Sequence, residues 1–106
     1  MGRFVIVAYK PKPCMDEQLL AAVRKHLDVL RSADFVTDNP AHVMRAADGT
    51  IVEVFEWRSA DAIRQAHGHP AVQALWAEFG AACDYVPLAS LAEAQQMFAE
   101  FEAVAL

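Results

Sequence analysis

The sequence is short of cysteine, glycine, basic residues and long apolar runs, and each shortage rules against a class of function. Its two cysteines, Cys14 and Cys83, stand in neither a Cys-x-x-Cys nor a zinc spacing. They read as ordinary thiols of a protein of the reducing cytoplasm. The nine lysines and arginines are scattered among 14 acids, for a net charge of −5. No basic patch with interleaved aromatics results, so no nucleic-acid partner is expected. No stretch approaches the ~20 apolar residues of a membrane span, so no membrane partner is expected either. The run Phe4–Tyr9, entered directly from Arg3, is too short for a flanked signal sequence and reads as a strand. With four glycines there is neither a nucleophile elbow nor a phosphate-cradling loop. Nicotinamide, ATP and covalent hydrolase chemistry are therefore not expected, and neither is any cofactor.

What the sequence does have is apolar mass: 56% of its 106 residues. That exceeds the ~45–50% of ordinary domains, although the latter figure counts glycine. The length allows one domain, residues 1–106, with a modest interior. Phe4–Tyr9, bounded by Lys10-Pro-Lys-Pro13, predicts a first strand buried on both faces. Asp16 is a candidate N-cap. Leu19, Leu20, Val23, Leu27 and Leu30 then recur at helical steps, predicting an amphipathic helix that ends near Ser32. His42–Ala47 and Thr50–Trp57 flank Asp48-Gly49, a strong hairpin signal. Ser59 caps a helix carrying Ile63. Gly68 interrupts it, and Pro70 restarts it in a first helical position. Tyr85–Leu88 predicts a short fourth strand whose Pro87 favours an edge or a bulge. Ser90 and Glu93 form a capping box before Leu91, Ala94, Phe98 and Phe101, which predicts a terminal helix.

The order strand, helix, hairpin, helix, strand, helix defines an α+β class. A ferredoxin-like βαββαβ plan with a C-terminal helix and a four-stranded antiparallel sheet accommodates it. Phe4, Ile6 and Ala8 oppose Val5, Val7 and Tyr9, and Val52 and Val54 oppose Ile51, Phe55 and Trp57. Both sheet faces are apolar, and helices on one side cover only one. A second copy stacked on the other face gives a homodimer, a dimeric α+β barrel. The alternative is that the terminal helix wraps round to that face within one chain.

The stretch Glu53-Val-Phe-Glu-Trp57-Arg-Ser59, then His69-Pro70-Ala-Val-Gln-Ala-Leu-Trp76 and Asp84-Tyr-Val-Pro-Leu88, resembles the antibiotic biosynthesis monooxygenase-like domains. The resemblance runs from Phe4 to about Leu88 and implies the dimeric α+β barrel fold. It also implies a possible activity, cofactor-independent monooxygenation of a small aromatic or quinone-like compound. The other function it leaves open is a non-catalytic dimer that binds a small apolar molecule. The haem-degrading branch of the superfamily uses an Asn, a Trp and a His, at places that hold Ala8, Ala66 and Trp76 here. The Asn–Trp set of the phenol oxygenases has no convincing match, and Asn39 before Pro40 reads as turn chemistry.

Two groupings of residues carry candidate chemistry. If Asp48-Gly49 is a two-residue turn, His42 faces Phe55 and is a diagonal neighbour of Glu53. His42 and Glu53 then form a catalytic acid–base pair beside an aromatic platform. Alternatively Glu53 meets an arginine of the partner and His42 lies at the sheet margin. A bulged turn would shift the register by one residue and separate the two. The second grouping is a ligand pocket between sheet and helices, drawn from Tyr9, Trp57, Trp76 and Phe79, with His26 and His67 as further candidates. His26 lies beside the apolar stripe of its helix, at its boundary or looking into a pocket beneath. His67 and His69 flank Gly68 with no third ligand at a metal spacing, so no metal is expected.

Overall fold

A computed structural model describes residues 2–105. The elements are β1 (Arg3–Pro11), α1 (Asp16–Ser32), β2 (His42–Arg45), β3 (Ile51–Trp57), α2 (Ala60–Ala66), α3 (Pro70–Ala82), β4 (Cys83–Val86) and β5 (Glu102–Ala103). The fold is α+β. Its antiparallel sheet has the order β4-β1-β3-β2-β5, compatible with the ferredoxin-like class. Among the described residues it has five strands rather than the four expected from the sequence.

The local signals act as their chemistry suggests. The Ser59 hydroxyl accepts the Ala62 N–H and starts α2, and Pro70 starts α3 after the break at Gly68. Asp16 is not the cap of α1: Met15 holds that place without a side-chain bond, and Asp16 lies in the first turn. There its charge still favours the helix N-terminus. α1 and α3 lie on one face of the sheet. They bury Leu19, Val23, Leu75 and Phe79 against Tyr9 and Ile51.

The hairpin departs from the two-residue turn. Ala46 N–H bonds to Thr50 O at 2.8 Å, and Gly49 N–H returns to Ala46 O at 3.0 Å. The loop is therefore Ala47-Asp48-Gly49. Gly49 sits at φ +93°, the positive-φ position that a three-residue bulged hairpin requires. The Asp48 carboxylate accepts the Thr50 N–H at 2.9 Å, and that bond holds its pKa below the usual range. One residue more in the loop moves the register by one and turns every β2 side chain to the other face.

The expected terminal helix does not form. Ser90 donates to the Pro87 carbonyl at 2.7 Å, and Glu93 accepts the Ala47 N–H at 2.8 Å, so both members of the supposed capping box are engaged elsewhere. Two 3₁₀ turns, Leu88–Ser90 and Ala92–Gln95, lead instead to β5, which adds to the free edge of β2. Tertiary pairing overrides a helical pattern here. This segment covers part of the far sheet face: Leu91 packs with Ala8, Ala46 and Val52, flanked by Met44, Val86 and Phe101. Phe4 and Ile6, on the same face, stay 63% and 51% exposed. The first strand is thus half-buried at Val5 and Val7 and buried at Tyr9 on its helix side, and buried only at Ala8 on the other.

Candidate functional site

Glu53 lies in the middle of β3, opposite Val7 of β1 and Val43 of β2, and is 1% exposed. An ionised carboxylate in such a place costs several kcal/mol unless donors meet it. Two do, both on Oε1: the Tyr9 hydroxyl at 2.8 Å and His26 Nδ1 at 2.9 Å. Tyr9 comes from β1, where it pairs with Ile51 and so sits diagonally from Glu53. His26 comes from α1, buried at 3% exposure between Phe55 and Phe79, whose rings meet it edge to face at 5.2 and 5.0 Å.

A third contact fixes the protons. Trp76 of α3 places its indole nitrogen 3.4 Å from His26 Nε2. An indole N–H can only donate, so Nε2 carries the lone pair and Nδ1 carries the hydrogen. Nδ1–H then donates to Glu53. Burial, then the charge of Glu53 and the bond to it, drives the Tyr9 pKa far above its ordinary value, so its hydroxyl also donates. Glu53 accepts twice, as a carboxylate does. The chain Trp76–His26–Glu53–Tyr9 is a hydrogen-bonded network that joins α3, α1, β3 and β1, with Glu53 Oε1 meeting both Tyr9 and His26.

Tyr9, His26 and Trp76 of this network form part of the wall of a cavity of about 420 Å³ between the sheet and the helices. That volume falls among small-molecule sites, roughly 300–1,000 Å³. Tyr9, His26, Trp57, His67, Trp76 and Phe79 all line it, together with Val5, Val7, Phe55 and Tyr85. Tyr9 stacks on Phe79 at 4.8 Å, Phe55 lies against Trp57 at 5.4 Å, and His67 meets Trp76 at 5.0 Å. The lining is aromatic and contains no lysine, arginine or exposed carboxylate.

The structure does not bring His42 and Glu53 together. The register pairs His42 with Val54 and Val43 with Glu53, so His42 is exposed on the far face. The imidazole beside Glu53 is that of His26, four positions before Leu30 on the buried stripe. His69 packs edge-on against Phe35 at 5.5 Å and does not line the cavity. Among the described residues no three His, Cys, Asp or Glu side chains cluster as metal ligands would. Asn39 donates to Glu56 at 2.6 Å beside the Thr37 hydroxyl, a turn-holding role. Cys83 is buried, which pushes its thiol up to about 11, so it is a poor nucleophile. No helix among the described residues is long and apolar enough to cross a membrane. No family model, curated protein or solved structure matches the chain.

Proposed function

We propose that the cavity takes a small aromatic or quinone-like compound with an acidic O–H, and that His26, held by Glu53, removes its proton. That proton transfer would open a cofactor-independent monooxygenation in a homodimeric cytoplasmic protein. The carrying observation is the imidazole with Nδ1 on the buried Glu53 carboxyl at 2.9 Å and Nε2 facing the Trp76 indole N–H at 3.4 Å, beside an aromatic cavity. On taking the proton, His26 becomes an imidazolium already paired with Glu53, so the new charge is not left alone in an apolar site. The oxygenation half rests on the resemblance to the antibiotic biosynthesis monooxygenase-like domains. A phenolate gives up an electron to dioxygen far more readily than a phenol. One oxygen atom then enters the ring to give a quinone, and the other leaves as water with two substrate hydrogens. The homodimer rests on Phe4 and Ile6, which need a cover that this chain does not give them.

Oxygen uptake over a panel of naphthols and hydroquinones tests this reading. Wild-type protein should consume oxygen with at least one of them, and His26→Asn should lose about 10²-fold or more of that rate. The Trp76 N–H on His26 Nε2 favours a second reading, a non-catalytic binder, because it occupies the lone pair of the base. Panel members that bind without oxygen uptake would select it.

A further inference from the structure

His26 Nε2 is a buried acceptor with one partner, the Trp76 indole, at 3.4 Å. That is long for an N–H···N bond, since well-made bonds of this kind close to about 2.9–3.0 Å. Trp76 is half-buried and lines the same cavity, with the exposed His67 against its ring. A ligand hydroxyl reaching Nε2 would make a shorter bond than the indole makes. The two donors cannot share one lone pair. Meanwhile the opposite nitrogen is committed to Glu53 at 2.9 Å, so the ring cannot turn to offer a second acceptor without breaking that bond.

We propose that Trp76 is a specificity-determining placeholder: its N–H keeps His26 in the Nδ1–H form in the empty cavity and is displaced by a ligand carrying its own O–H or N–H donor. The inference rests on the cavity being the ligand site, and it adds the selection rule. A ligand of the same shape without a donor either leaves the indole bond in place, gaining nothing at Nε2, or strands a buried acceptor. Protonation of His26 by the ligand also expels the indole, because two N–H groups would then face each other.

The probes are 2-naphthol and its methyl ether, 2-methoxynaphthalene, titrated calorimetrically into wild type, Trp76→Phe and His26→Leu. Both probes lose the same indole contact in Trp76→Phe, so the ratio of their affinities isolates the hydrogen bond. Wild type should prefer the naphthol. In Trp76→Phe the preference should grow by about five- to a hundredfold, the effect of one otherwise unsatisfied buried polar group. In His26→Leu it should disappear. An unchanged ratio in Trp76→Phe, or a preference surviving in His26→Leu, overturns the placeholder role and leaves the cavity as a ligand site. Failure of both probes to bind wild type overturns the role and the proposed function together. Should Trp76→Phe not fold, nitrogen NMR of the ligand-free wild type decides. His26 should show a hydrogen on Nδ1 and none on Nε2 at neutral pH, and the opposite tautomer would end the inference.

Discussion

Replacing Glu53 with glutamine keeps the shape of the side chain and removes its charge, which separates the network's stability from its chemistry. Two bonds to Glu53 Oε1 are affected, from Tyr9 and from His26. A bond to a charged partner contributes about 1.5–3 kcal/mol and a neutral one about 0.5–1.5. Weakening both therefore costs about 2–3 kcal/mol. Against this, removing a buried carboxylate recovers a desolvation penalty of several kcal/mol, only part of which the two donors had offset. The net change for Glu53→Gln should stay within about 2 kcal/mol, where each kcal/mol moves Tm by about 4–8 °C in a domain of this size. Glu53→Leu recovers the same penalty but keeps no acceptor at all, so the Tyr9 hydroxyl and His26 Nδ1–H are left unpaired, at about 1–3 kcal/mol each. Guanidinium unfolding followed by tryptophan fluorescence should place Glu53→Leu below Glu53→Gln by about 2 kcal/mol or more. Turnover of any substrate found in the phenol panel should fall about 10²-fold in Glu53→Gln despite its stable fold. A loss above about 4 kcal/mol in Glu53→Gln with unchanged turnover would make Glu53 half of a structural pair and refute the reasoning.

Tyr9→Phe removes one donor to Glu53 and should cost about 1.5–3 kcal/mol at neutral pH. Because burial raises the folded-state pKa of Tyr9, its contribution is complete below the unfolded pKa of about 10 and is lost as pH rises above it. Melts at rising pH should therefore show wild type losing its lead over Tyr9→Phe in alkali, and a constant lead would contradict that. His42→Ala should change stability by less than about 0.5 kcal/mol and leave turnover intact, since this histidine is exposed on the far face. Sedimentation equilibrium should give twice the 11.7 kDa chain mass for wild type and the single mass for Ile6→Arg. A wild-type monomer would remove the homodimer.

The order of elements through β4 was legible because it rests on local chemistry: the Ser59 cap, Pro70 after Gly68, and Asp48-Gly49 between two strand-like runs. The register was not. Two- and three-residue loops both accept Asp-Gly, and the choice between them turns His42 from the helix face to the far face. The terminal segment misled because Ser90 and Glu93 satisfy a helix pattern locally while their hydrogen bonds run to Pro87 and Ala47. The candidate pocket residues are brought to one cavity because aromatic side chains on the inner rows of β1, β3 and α3 converge there. The role of His26 was visible only in part. Leu19, Val23, His26 and Leu30 run at steps of four, three and four, which puts the histidine on the buried stripe itself. That it meets Glu53 depends on how α1 crosses β3, which no local signal encodes.

The most direct test of the account is the ionisation state of a phenol bound in the cavity. A buried apolar site by itself holds a phenol neutral, as it does the Tyr9 hydroxyl. Only a base placed in the wall reverses that preference. Nitrophenol reports its own protonation by absorbance, so a difference spectrum at a pH below its solution pKa suffices. Wild type should hold nitrophenolate, and His26→Asn should hold neutral nitrophenol. Neutral nitrophenol bound equally by both proteins would contradict that.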